Sequence, residues 1–480
     1  MGGSSAVNAM VYVRGNRRDY DTWKKQGNPG WGYDQLLKYF KKSEGNQVDR
    51  IIKHSQGKYH RSGGLLKVDS FNSNETLKNV IYESAFELDY VEQIDINVDG
   101  DHIGFATAQG TLYKGERHSV AKAFLVPIKD RKNLHIIKNA FVTDLIVKKD
   151  SVKGIRFTVK GKKLEAKAKK EVIVSAGAFG SPKLLMLSGI GNAEDLKKLD
   201  IPVVKNLSVG YNLQDHVMTP LEFKFHEKTA ENQTPQEIAD SLFSFLTHRV
   251  GKFCGTGISD LLGFINTEDE DAIYPNIEYM FVGQPKNLIG YNVNLENVGF
   301  NDDFASQFLK ANSEAETVQA VITLLNPKSR GTVKLRSKKP EDLPIIDANF
   351  YDDAEDLKIM IKGMREILKF RETKNFKTHG AELFRFKIKE CDKLKYESDD
   401  YWKCYISYLS GTLYHPSGTC KMGPSTDPEA VVDPRLRVYG VKQLRVVDAS
   451  IMPQVVSGNT NAPVVMIAER AADMIKADWA

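Results

Sequence analysis

Two stretches near the C-terminus hold the residue types that alcohol chemistry needs. Tyr414-His415-Pro416-Ser417-Gly418-Thr419 sets a histidine in a rigid Pro/Gly loop, and Ser457-Gly458-Asn459-Thr460-Asn461-Ala462-Pro463 sets an asparagine in another. Imidazole is the natural base for an alcohol proton near neutral pH. A carboxamide can hold the alcohol oxygen through its N–H groups without competing for that proton. A lone histidine is more often structural than catalytic, and spacing alone does not bring His415 to Asn459. Two glycine-bearing stretches complete the set: Gly2-Gly3-Ser4-Ser5-Ala6-Val7-Asn8-Ala9-Met10-Val11-Tyr12, and the run from Gly177 to Gly191. Glycines let backbone approach a planar or anionic ligand closely. Taken singly, the first also reads as a flexible terminus and the second as a tight turn with a helix cap.

These residues need a scaffold. Trp31–Glu44 has helical periodicity, with Leu36, Leu37 and Phe40 on one side. A polar, loop-rich stretch follows to about Asp69. Strands are expected at Leu134–Ile137, Val142–Val147, Gly154–Val159 and Glu171–Ser175, the last as a buried parallel strand. It runs into Ser175-Ala176-Gly177, and a helix is expected after Ser181-Pro182. Leu444–Asp448, a glycine- and asparagine-rich turn and Ala462–Ile475 repeat the strand–loop–helix order. That order brings backbone amides to a ligand at the carboxyl end of a sheet. Residues 221–319 read as less regular, a separate lobe, and Glu355–Lys369 as an amphipathic helix.

Composition narrows the classes. The chain has 480 residues, 41% hydrophobic and 27% charged, so two domains or one large discontinuous unit are expected. No apolar stretch reaches the roughly 18 residues a membrane span needs. The lysines between Lys148 and Lys170 alternate with apolar residues and carry no interleaved aromatics. They read as the wet face of antiparallel strands rather than a nucleic-acid site. The four cysteines show no zinc spacing; Cys391 and Cys404 form one bridge, or all four are free thiols. Sequons at Asn74-Glu75-Thr76 and Asn206-Leu207-Ser208 would permit glycosylation.

Together the motifs resemble the glucose–methanol–choline (GMC) oxidoreductases. Residues 2–16 with Asp19-Tyr20-Asp21-Thr22-Trp23 look like the family's first signature, and residues 177–191 like its second. Asn212-Leu213-Gln214-Asp215-His216, Ser329-Arg330-Gly331-Thr332 and Asp433-Pro434-Arg435-Leu436 resemble further family blocks. The flavour is closest to the insect branch of glucose dehydrogenase-like proteins and ecdysone oxidases. The resemblance implies FAD, with His415 taking the hydroxyl proton while hydride passes to flavin N5, and Asn459 positioning the alcohol. It implies cofactor contacts from Gly2, Gly3, Asn8, Ala9, Met10 and Val11. Val142 would meet the adenine through its backbone, and Asp448, Ala449, Asn461 and Pro463 would meet the pyrophosphate and the pyrimidine side of the ring. No metal is implied.

The fold class so implied is α/β. A doubly wound FAD-binding domain is expected from 1–65, 120–215 and 415–480, and an antiparallel-sheet-plus-helices substrate domain from 66–119 and 216–414. The family's opening strand, GxGxxG turn and helix are not found before Gly2, so a fragment is expected, with Met1 an internal methionine of the first signature. The substrate is an alcohol, a sugar or an ecdysteroid, with Tyr279, Phe281 and Tyr408 as pocket aromatics and O2 or a quinone as acceptor. A secreted location is suspected from the resemblance alone. The alternative is an inactive, FAD-poor relative that binds a small hydrophobic ligand or a partner.

Overall fold

The computed structural model describes residues 1–71, 75–227, 229 and 234–480, so Asn74 of the first sequon lies outside the described residues. The fold is α/β, built around two hydrophobic cores that meet at a seam. The first core joins the ends of the chain. Tyr20, Trp23 and Trp31 pack with Leu36 and Phe40 of the helix Tyr33–Ser43, and against them lie Val446 and Met466. Val172–Val174 and Leu444–Val446 pair in parallel, and the helices Gly177–Leu187 and Asn461–Asp478 follow them. Asp448 clasps the two units together. One carboxylate oxygen accepts the Gly177 N–H (2.9 Å) and the Ser181 hydroxyl, and the other accepts the Ser450 N–H (2.8 Å) and hydroxyl.

The second core lies under a seven-stranded antiparallel sheet. Its strands run in the order Glu382–Leu383, Val217–Phe225, Glu316–Leu324, Ile277–Gln284, Leu261–Ile265 and Gly104–Thr107, with Gly411–Thr412 also paired to Val217–Phe225. Strand alternation divides the side chains between its faces. Ile277, Tyr279 and Phe281 point into a core shared with the helices Ala354–Leu368 and Asp399–Leu409. Met280, with Met218, Leu262 and Val321, points the other way, onto Val11 and Val13. The sheet is therefore covered on both faces, and its second face looks onto the N-terminal strand.

Several expected elements differ. Leu134–Ile137 forms no strand, and among the described residues no strand pairs with it, so Ile136 and Ile137 are exposed. The region 221–319 supplies four strands of the large sheet and is regular. Its buried Glu222 and Glu278 disguise the alternation. The stretch after Gly45 holds the short helix Asp49–His54 and the strand Leu66–Ser70. Val172–Val174 is not buried on both sides, since Ile173 is 44% exposed. The helix expected after Pro182 already begins at Gly177. A proline inside a helix frees the carbonyl four residues back; that carbonyl, of Ala178, accepts the Thr419 hydroxyl at 2.6 Å. The lysine tract lies on the hairpin Ser151–Val159/Lys162–Lys167, whose second strand is exposed throughout. Cys391 and Cys404 are disulfide-bonded, while Cys254 and Cys420 are buried free thiols.

Candidate active site

His415 is held by the segment that faces it across the seam. After Gly411–Thr412, the Leu413 N–H donates to the His216 carbonyl (2.8 Å), and Gln214 and Ser417 exchange backbone hydrogen bonds (3.0 and 2.8 Å). Between them Tyr414 takes a left-handed φ of 62° and turns its ring to solvent. Asp215 fixes the turn. One of its oxygens accepts the His415 N–H (2.9 Å), and the other accepts the Thr412 hydroxyl. Burial pushes the Asp215 carboxyl up to about 6 against the pull of those bonds.

Asn459 is keyed to the opposite end of the sequence. Asp19 accepts the Ser457 N–H and hydroxyl, both at 2.8 Å, and also the Asn16 N–H (2.9 Å) that opens its own helix. Gly458 follows at φ 140°, where a Cβ would lie 2.5 Å from Val13 Cγ1, so only glycine allows this close approach.

These two anchors bring the histidine and the asparagine together. Asn459 Nδ2 lies 3.3 Å from His415 Nε2, and both residues are at least nine-tenths buried. On the far side of the ring, His415 Nδ1 lies 2.9 Å from His216 Nδ1, and His216 Nε2 lies 3.1 Å from the Leu325 carbonyl. Burial holds His415 well below its ordinary value, helped by its His216 neighbour, and brings His216 down to about 4. His415 is thus a neutral base with one nitrogen turned toward an amide donor. The amide's oxygen is buried with no partner. At the Gly411–Thr412 strand that leads into the His415 turn, a cavity of about 340 Å3 is lined by Met218, Phe300, Phe304, Tyr408, Ser410 and Thr412.

The other expected residues fall into three groups. Asn461 and Pro463 open the helix Asn461–Asp478, whose N-cap Thr460 makes no side-chain cap, and Asn461 Nδ2 is buried without a partner. Gly2 and Gly3 both take positive φ, and a Cβ on Gly3 would meet nothing within 4 Å. Asn8 spends its oxygen on the Met10 N–H (3.1 Å) and Arg117 (2.9 Å). Ala9 is exposed, and Met10 is left-handed at φ 67°. The Val11 side chain belongs to the packing against the large sheet. The Asp448 carboxylate has all its lone-pair positions taken, which leaves only its backbone and that of Ala449 for a ligand. Val142 stands on a separate three-stranded sheet, at a register shift opposite Phe157.

These residues suit a flavin dinucleotide. An uncapped helix N-terminus offers free amides and a positive dipole end to an anion or an electron-rich ring edge. The orphaned Asn459 oxygen and Asn461 amide supply a buried acceptor and donor, which folded proteins rarely leave unmatched. The open backbone at Gly3 permits close approach.

Sequence reasoning gave His216 and Asp215 no role, although Asp215-His216 directly before an apolar strand was a visible signal. It also placed Tyr279 and Phe281 at the pocket wall. They lie instead in the second core, on the helix-covered face of the sheet, and Tyr408 alone of the three lines the cavity.

Comparison with known proteins bears on the same residues. A family model described as GMC oxidoreductase matches residues 1–218, and a second of the same description matches residues 327–468. Glucose dehydrogenase (FAD, quinone) of Drosophila pseudoobscura pseudoobscura is 40% identical, over 100% of this chain and 74% of that protein. Ecdysone oxidase of Spodoptera littoralis is 34% identical, over 99% of this chain and 78% of that protein. Among solved structures, a formate oxidase of Aspergillus oryzae superposes with a TM-score of 0.85 at 24% identity, over 99% of this chain and 84% of that one. That last likeness is one of fold.

Proposed function

The chain belongs to the GMC oxidoreductase family, and on that premise we propose that His415 and Asn459 are the catalytic pair of an FAD-dependent oxidation of CH–OH groups. The observation that carries this reading is His415 Nε2 set 3.3 Å from the Asn459 amide nitrogen. An alcohol entering between them donates its O–H to Nε2 and accepts an N–H from Asn459. His415 then takes the proton, and Asn459 holds the oxygen while negative charge develops on it. FAD, when bound, supplies the acceptor for the hydride. Asn461, the amide end of its helix and the backbone at Gly2, Gly3, Asp448 and Ala449 would hold it, with Ala9 and Met10 alongside.

The substrate we infer is an uncharged alcohol with an apolar face, a sugar or a steroid. None of the described residues lining the cavity carries a charge, and Phe300, Phe304 and Tyr408 offer rings to such a face. The two relatives named for glucose and ecdysone support this class. A quinone is the acceptor we favour, because the more similar of them is named for one. The test is the flavin absorbance of purified protein before and after anaerobic addition of glucose or an ecdysteroid, followed by a quinone or O2. Bleaching by the alcohol and recovery with the quinone are expected. A flavin-loaded protein that no alcohol bleaches would leave the inactive-binder reading in place.

A further inference from the structure

On the reading that His415 is the proton acceptor, we propose that His216 is a positioning residue that fixes which nitrogen of His415 is bare. The assignment follows from the partners. The Leu325 carbonyl can only accept, so His216 Nε2, 3.1 Å away, carries a proton. In a neutral ring the other nitrogen is then a lone pair, and His415 Nδ1, 2.9 Å from it, must donate. His415 Nε2 is thereby left without a proton, and it faces Asn459 Nδ2, which can only donate. Exchanging the proton within either ring would set donor against donor or acceptor against acceptor.

The starting point of the row is firmly held. Leu325 follows the strand Glu316–Leu324, its side chain is fully buried, and its own N–H donates to the Asn276 carbonyl (3.0 Å). The Val456 carbonyl faces the His216 ring as well. Asp215, the neighbouring titratable group, turns its oxygens to the His415 N–H and the Thr412 hydroxyl rather than to the rings. When the alcohol proton passes to His415 Nε2, no bond at Nδ1 breaks. The Nδ1–H that already points at His216 becomes a charge-assisted hydrogen bond, which supports the new imidazolium. One residue thus selects the reactive tautomer and steadies the product of proton transfer.

The first test needs no flavin. In the full chain labelled with 15N, imidazole spectra are expected to show His415 Nε2 as a pyridine-type nitrogen and Nδ1 as a pyrrole-type one. Signals are assigned with His415→Gln and His216→Gln. A protonated Nε2 in the parent protein overturns the proposal, whatever reaction the protein carries out. In His216→Leu the acceptor is gone and His415 should populate both tautomers, whereas the amide oxygen of His216→Gln should preserve one. With FAD bound, His216→Leu is expected to lose about 10- to 100-fold in kcat with KM changed less than about twofold, and His216→Gln to recover most of it. A folded, flavin-loaded leucine variant with parental kcat overturns the proposal. If no alcohol is oxidised by the parent, the functional reading fails and the spectra still decide the tautomer. If the leucine variant does not fold, the parent and glutamine spectra decide alone.

Discussion

Two histidine clusters lie buried among the described residues, one built of charged groups and one neutral. His60 sits between two carboxylates, with Nδ1 2.8 Å from Glu44 and Nε2 2.8 Å from Asp95. Burial lowers its affinity for a proton, but the hydrogen bonds to Asp95 and Glu44 outweigh burial and raise it above its ordinary value. Both nitrogens face carboxylates, which favour the imidazolium over the neutral ring. Arg14 completes the cluster, its Nη2 3.0 Å from Glu44 without hydrogen-bond alignment and its Nη1 donating to the Tyr59 carbonyl (2.9 Å). His415 and His216 are as deeply buried, yet their partners are a carbonyl, an amide and each other, and both rings stay neutral. Burial sets the cost of charge in both places, and the partners decide whether that cost is met. The charged cluster braces the N-terminal block, and the neutral one is left able to accept a proton.

The comparison breaks first at His415. His415→Ala removes the only base in the pair, and kcat is expected to fall by about 10²- to 10⁴-fold with flavin content unchanged. Steady-state kinetics on the flavin-loaded protein measure this. Glu44→Gln keeps the shape of the charged cluster but strands two buried cations against one carboxylate. Removing one partner of a buried pair costs about 3–5 kcal/mol, to be read as a lower denaturant midpoint with kcat per bound flavin retained. The smallest effect sharpens the contrast through pH. The folded value of His60 is raised, so its contribution to stability is full below the unfolded value and is lost as pH climbs through the folded one. The folded value of His216 is lowered to about 4, so its contribution is full above the unfolded value and is lost as pH falls from about 6.5 toward 4. Unfolding midpoints followed from about pH 4 to well above about 6.5 should therefore lose their alkaline-side slope in His60→Gln and their acid-side slope in His216→Gln.

How much of this the sequence disclosed depended on how local each signal was. The helices Tyr33–Ser43 and Ala354–Leu368 were legible because their apolar stripes face one core. His415 and Asn459, the proposed catalytic pair, drew notice in their Pro/Gly loops, but it was the family resemblance that joined them and gave them roles. The large antiparallel sheet was expected from the resemblance, but its strands were not legible from pattern because both its faces are covered and Glu222 and Glu278 lie fully buried within them. His216 was hidden for a different reason. Its role is a hydrogen-bond direction passed from Leu325, 109 positions further along, and no spacing encodes that. Asp448 was recognised as a ligand contact, but only the structure shows its carboxylate committed across 271 positions to Gly177, which leaves its backbone for that part.

The tie between Asp19 and Ser457 spans 438 positions, and Trp23 reaches the Gln454 carbonyl across 431. During synthesis the aromatic block at Tyr20–Phe40 therefore emerges long before Val446 and Met466, the residues that finish its core. The strands of the large sheet lie almost wholly between those ends and can close first. Until Gln454 and the Asn461–Asp478 helix leave the ribosome, Trp23 and Trp31 lack these partners, which leaves the aromatic block exposed to aggregation for much of synthesis.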